Sequence, residues 1–293
     1  MTAVLAGTSV AAVQPLFLDL GDQAGPVDCA RFAVLHRPAG APRRLIVYAH
    51  PFGEELNKSR RMVALQARAL AQAGHAVLVP DLLGCGDSAG DLGDATWSAW
   101  VDELVRACDW LRQASHAWRP NATVETPPLT LWGLRGGALL AAAAAERLGD
   151  VQDLLFWHPH AVGKTLVQQF LRLHGASGLL SGNDRGSTSA LRARLADGNT
   201  VEVAGYRLSS ALAKGLDKAR LVPVRGVRRL HWLELSTRDG ATPGPVSTET
   251  LNAWRQTGTQ VHAQVLPGPA FWQTVEIEDA PALVEATLAV MAA

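Results

Sequence analysis

The sequence predicts an α/β fold: a mostly parallel sheet with helices on both faces and a helical cap inserted between two strands. Three observations carry this reading. Short apolar runs alternate with longer amphipathic segments from residue 44 to 157, and again after 231. Over 161–225 the alternation stops, which marks the cap. The length, 293 residues, suits a single domain spanning 1–293 with that insertion inside it. A chain of this size buries roughly three quarters of its unfolded surface.

The elements follow in order. Leu16–Leu20 and Arg31–His36 form an opening antiparallel pair around a Gly/Pro turn. Arg44–Ala49 is a buried strand that runs into His50-Pro51-Phe52-Gly53. Asn57 to Ala73 has helical apolar spacing, and Gly74 stops it. Ala76–Pro80 is a strand, and Asp81–Ser88 is a glycine-rich turn. Thr96–Gln113 is an amphipathic helix. Leu129–Leu134 is a strand, Gly136–Leu148 an alanine-rich helix, and Asp153–Trp157 the next strand. Inside the cap, helices are expected around Thr165–Leu173 and Ser209–Lys218, separated by a Gly/Ser stretch, Gly175–Ser189, expected to be a mobile loop. The alternation resumes with His231–Leu235, a helix near Glu249–Gln256, Val261–Leu266 and a terminal helix from Ala280.

Composition excludes several classes. Formal net charge is zero, so nothing points to a nucleic-acid partner. No run approaches the ~18 apolar residues that span a bilayer. Met1 to Val13 contains no Lys or Arg and makes a poor signal peptide. Three cysteines, Cys29, Cys85 and Cys108, have no metal-type spacing and suit a reducing compartment, so a cytoplasmic location is expected. No cofactor is expected.

Leu131-Trp132-Gly133-Leu134-Arg135-Gly136-Gly137 is the most informative stretch. Its strand-turn-helix setting is that of a nucleophile elbow, Gly-x-Ser-x-Gly. The turn glycines are kept at 133 and 137, but Arg135 stands where the attacking hydroxyl belongs. On these residues the chain resembles the α/β-hydrolase fold over essentially its whole length. Asp81–Ser88 is similar to the loop after the fourth strand of that fold, and Asp239, shortly before Pro243, matches the acid position of the triad. The histidine is expected in Pro267-Gly268-Pro269-Ala270-Phe271-Trp272-Gln273, where Phe271 stands instead. An arginine has no lone pair to offer and a phenyl ring accepts no proton, so a Ser-His-Asp mechanism lacks two of its three members.

A narrower resemblance runs from residue 50 to 273. His50–Met62, Leu131–Leu139, Gln169-Phe170-Leu171-Arg172-Leu173, Val203-Ala204-Gly205-Tyr206 and Phe271-Trp272-Gln273 are similar to the exosortase A system-associated hydrolase 2 family. That resemblance implies a bacterial protein encoded beside a protein-sorting and exopolysaccharide system, with a protein of that locus as a partner, and implies that arginine at the elbow is the family's own pattern. Gly53 departs from the family's alanine, and His158-Pro159-His160 departs from its Gln-Pro-Val. Fold alone does not establish reaction, so whether the chain is an enzyme is open.

The candidate site gathers at the carboxyl ends of the strands. Arg135 is expected at its centre. A buried arginine is seldom unpaired, so an ion pair with Asp239, or with Glu54 or Glu55, is the first expectation. Binding of a small anionic or acyl ligand is the second, with Arg135, Phe52, Trp157, His160, Phe271 and Trp272 lining the cleft. Glu54 or Glu55 is a candidate general base on water, with Arg135 and Asp239 as charged partners and His50 orienting its loop. His50, His158 and His160 lack the spacing of a zinc site, and no metal is expected. Cys85 has no neighbouring base that would make it a nucleophile, and Ser88 is read as fixing its turn.

Overall fold

β3 (Leu45–Ala49), β5 (Leu129–Leu134) and β6 (Asp153–Trp157) are buried along their whole lengths, because each lies inside a sheet covered on both faces. The structure is a computed structural model that describes residues 11–21, 27–118, 126–181 and 187–292, with side chains omitted over 174–181. The remaining strands of the sheet are β1 (Ala12–Asp19), β2 (Ala30–Arg37), β4 (Ala76–Pro80), β9 (Arg229–Ser236) and β10 (Gln260–Pro267). Their order is β1-β2-β4-β3-β5-β6-β9-β10. β2 pairs antiparallel with β1 and β4, and every other pairing is parallel.

Helices cover both faces. α2 (Trp97–His116) and α3 (Gly137–Leu148) pack with the aliphatic core that includes Leu104, Leu131, Leu139 and Phe156. α1 (Glu54–Gln72) and α8 (Pro281–Ala292) cover the other face over Ile46, Trp132, Trp157 and Leu233. α7 (Pro245–Gln256) opens on a proline, whose fixed φ suits a first helical turn, and begins four residues before the expected Glu249.

The insertion leaves the sheet after β6 and returns before β9. Its two ends are fastened by a bridge between Val162 and Arg220, with Leu221 N donating to Ala161 O at 2.9 Å. It holds α4 (Gly163–Ser181), α5 (Thr188–Ala196), a hairpin of β7 (Val201–Val203) and β8 (Tyr206–Leu208), and α6 (Ser210–Lys218). The expected Gly/Ser loop is corrected here. Residues 175–181 continue α4 and 188–189 open α5, where Ser187 caps by accepting from Ala190 N; 182–186 lie outside the described residues. The tight β7–β8 connection places Ala204 at φ 50 and Gly205 at φ 83, a turn that the Ala-Gly pair permits.

Candidate functional site

The bend between β5 and α3 is a true elbow. Arg135 has φ 54, a value that non-glycine residues seldom take. Its backbone is held from both sides: Arg135 N donates to Trp157 O at 2.9 Å, and Arg135 O accepts from His160 N at 3.2 Å. The flanking glycines are sterically required. A Cβ on Gly133 would lie 2.5 Å from Ala138 Cα, and one on Gly137 would strike the Ala49 carbonyl.

The arginine side chain turns inward and is 7 % exposed. Its Nε and a terminal nitrogen each reach Glu55 Oε1 at 3.2 Å. Another terminal nitrogen reaches His158 O at 3.5 Å, and the guanidinium stacks 5.1 Å from the centre of the Trp272 ring. Thus Glu55, the third choice in sequence, is the partner. Asp239, the first choice, sits exposed three residues beyond β9 and makes no ion pair among the described residues.

Electrostatics around the guanidinium follow from burial. Desolvation raises the Glu55 carboxyl, against the pull of Arg135 and the nearby Gln273 amide, and its Oε2 lacks a hydrogen bond. Burial, with Arg135 next, lowers His158 to about 4 and His160 to about 3, so both rings are neutral near pH 7. His158, at φ 42, accepts from Leu235 N through Nδ1 at 3.1 Å, while His160 Nε2 has no partner. Arg135 therefore already faces one carboxylate, a π-face and two neutral rings.

His50 is buried, with Nδ1 placed 2.8 Å from Pro51 O and the ring edge-on to Trp100 at 5.5 Å. Glu54 is exposed and accepts from the Tyr206 hydroxyl at 2.7 Å, tying β8 to α1. Gly53 takes φ 60, and a Cβ there would come within 2.9 Å of Phe170, so glycine lets α4 close onto this loop. Ser88 does fix its turn: Oγ donates to Asp81 O at 2.6 Å and accepts from Phe32 N at 2.8 Å. Burial pushes the Cys85 thiol far up, which removes it as a nucleophile at neutral pH.

Beside the elbow lies a pocket of about 300 Å³ between α4 and the start of α1. Phe52, Leu166, Phe170 and Trp272 form its apolar walls, with Glu55 and Gln273 among the polar groups. Trp157 and Phe271, expected at the ligand, are instead core residues: Trp157 donates to Thr287 Oγ1 at 2.9 Å and stacks edge-on with Phe271 at 6.2 Å. His160 and Arg135 also lie outside this lining. The sequence reading missed Leu166, Gln169, Phe170 and Leu173 as wall residues; their i, i+3, i+4, i+7 spacing marks one helix face and was the available signal. Among the described residues, no three His, Cys, Asp or Glu side chains are placed to hold a metal ion.

This arrangement is the α/β-hydrolase fold. The chain is similar to Est1E from Butyrivibrio proteoclasticus, solved with ferulic acid bound (16 % identity, 94 % of this chain and 98 % of that one, TM-score 0.63). It is likewise similar to a thermophilic esterase from Thermogutta terrifontis (18 % identity, 95 % and 98 %, TM-score 0.57). A third is the α/β hydrolase GrgF from Penicillium sp. sh18 (16 % identity, 96 % of each chain, TM-score 0.58). No protein-family profile and no curated protein sequence matches the chain. Among the described residues no helix is long and apolar enough to cross a membrane.

Proposed function

We propose that this chain is a ligand-binding member of the α/β-hydrolase superfamily with a degenerate triad, and that it holds an acyl-type ligand in the pocket beside Trp272. The observation that carries the reading is Arg135 itself. It occupies the nucleophile's turn and is closed off by Glu55 and Trp272, with two neutral histidines beside it. Of the anionic and acyl ligands allowed by the sequence, the pocket favours the acyl chain. Its walls are aromatic and aliphatic, and its carboxylates, Glu54 and Glu55, outnumber the single cation, Lys58. The motifs between 50 and 273 support placing the protein in the bacterial cytoplasm beside an exosortase and exopolysaccharide system.

The test has two arms. Incubation with a fluorophosphonate probe labels no serine, because none stands at the elbow. Titration with medium-chain fatty acids quenches tryptophan emission in the wild type, and Phe170→Ala weakens binding about tenfold, the cost of losing one large apolar wall. Stoichiometric labelling of any serine overturns the degenerate triad, and unchanged binding in Phe170→Ala overturns the pocket.

One observation favours a second reading, water-mediated hydrolysis of an ester or thioester. Glu55 lies at the pocket wall with a carboxyl raised by burial, and Arg135 beside it offers positive charge. Turnover of p-nitrophenyl butyrate or an acyl-thioester that Glu55→Gln abolishes, without serine labelling, would establish it.

A further inference from the structure

The eight-stranded sheet has two edges, and they are finished differently. β1 is blunted: Pro15 interrupts its middle, and Asp19 closes it with a charge. β10, at the other edge, reads Gln260-Val261-His262-Ala263-Gln264-Val265-Leu266-Pro267, with no Lys, Arg, Asp or Glu in it. It is as long as β1 and carries no proline until its last residue. Its register with β9 is unbroken, so no bulge turns it aside. An edge left in this state is a template for another strand.

The register fixes which backbone groups stay open. Gln260 N donates to Arg228 O at 2.8 Å, and Gly268 N to Ser236 O at 3.1 Å. Even-numbered residues of β10 therefore turn their amides and carbonyls toward β9. Val261, Ala263 and Val265 turn theirs outward, and among the described residues no strand pairs with that side. Pro267, the next outward position, has no N–H, so the run stops there. The open donors and acceptors are thus spaced evenly about Ala263. The flank of this edge is also apolar. α8 carries one charged residue, Glu285, although it lies at the surface, where a helix ordinarily shows a polar face. Its Ala286 and Ala289 line a groove of about 520 Å³ together with His262 and Gln264 of β10.

We propose that β10 pairs antiparallel with β10 of a second copy of this chain, about a two-fold axis at Ala263, joining the two sheets into one. In that register Val261 meets the partner's Val265, Ala263 meets the partner's Ala263, and every open N–H finds a carbonyl. His262 and the partner's Gln264 stand opposite each other in the closely spaced pairs between them. Charge selects this occupant. An acidic or basic partner strand finds no counter-charge on β10, whereas a copy brings no like charges together. Self-pairing also needs a pattern that reads the same from either end, and the outward groups have it. The edge shares no residue with the pocket beside Trp272, so it stands or falls independently of that reading.

Sedimentation of the full chain at micromolar concentration is expected to give twice the 31.1 kDa chain mass. Residue-resolved amide exchange is expected to be slow at Val261, Ala263 and Val265, for which the chain itself supplies no strand partner. Ala263→Pro removes only an outward N–H and weakens association about tenfold, while the His262 and Gln264 amides, bonded to β9, stay slow and report an intact fold. His262→Glu with Gln264→Glu sets carboxylates against each other and weakens association about tenfold. His262→Lys with Gln264→Lys does the same, and mixing these two double variants restores a dimer holding one chain of each. A monomer at micromolar concentration overturns the proposal. Fast exchange at the three outward amides within a dimer overturns it by placing the interface elsewhere. Slow exchange at them in a monomer overturns it by placing a segment of the same chain on the edge. Failure of the oppositely charged variants to associate overturns the register.

Discussion

Two buried Arg–Glu pairs stand on opposite sides of the sheet's centre, and they are built differently. Arg31 meets Glu103 at 2.8 Å with side chains only 2 % and 3 % exposed. Glu103 spends its second oxygen on Leu83 N at 2.8 Å, and Trp100 Nε1 donates to Leu83 O at 3.0 Å. Arg135 meets Glu55 at 3.2 Å, with 8 % and 17 % exposure, an unpartnered carboxylate oxygen and a pocket on the far side. The first pair is a closed knot in which every polar atom of the acid is used. The second leaves one buried carboxylate oxygen without a hydrogen bond, in a residue that also borders a pocket. A buried ion pair is weak evidence of stability in itself, so what separates these two is how completely their hydrogen-bonding capacity is met.

The largest effect that can break this comparison comes from removing each arginine. Arg31→Met strands a buried carboxylate and is expected to lower unfolding stability by about 3–5 kcal/mol in urea titrations. Arg135→Met costs less, about 1–3 kcal/mol, because the Glu55 side chain is 17 % exposed against 3 % for Glu103 and is not locked by a backbone hydrogen bond, so the acid left behind is less deeply buried. Equal losses at the two positions would show that the pairs do the same job.

Acid provides the next test. His158 and His160 sit against Arg135 with folded-state values of about 4 and about 3, below the 6.5 of the unfolded chain. The unfolded state therefore binds more protons between those limits, and stability falls as pH drops below 6.5. His36, His75 and His231, each lowered to about 4, add to the same limb. Melting temperatures taken from pH 7 to 4 are expected to fall steeply, and less steeply in His160→Phe. An unaltered slope in that variant would place the acid sensitivity elsewhere than the elbow.

The smallest effect belongs to Glu55→Gln. The raised carboxyl means that the folded state holds its proton to higher pH than the unfolded state, so this group's contribution declines as pH rises through the carboxylate range. The amide removes that decline while still offering an oxygen to Arg135. Stability at pH 7 is expected to change by less than about 1 kcal/mol, and a larger loss would mean that the ionic form of the pair is what the fold needs.

The succession of strands and helices and the elbow at Arg135 were legible in the sequence, because each rests on local spacing. The partner of Arg135 was not. Choosing Glu55 over Asp239 depends on where β9 ends relative to the bend, a distance set by packing across four strands. The interior of the insertion was also hidden. Gly175 and the small residues after it suggest a loop, yet the backbone continues as α4 to Ser181, so weak local helix propensity did not decide the outcome there. Trp157 lies at the end of β6 as expected, but one pleat decides whether a strand-end ring faces solvent or core, and the sequence alone does not fix that phase.

The turn at Arg135 is secured by its own amide and carbonyl and by glycines on either side, and none of these fastenings involves the guanidinium. Side-chain identity at this position is thus uncoupled from main-chain shape. A lineage could exchange arginine for serine there in a single step, inheriting a ready-made bend on which to present a hydroxyl.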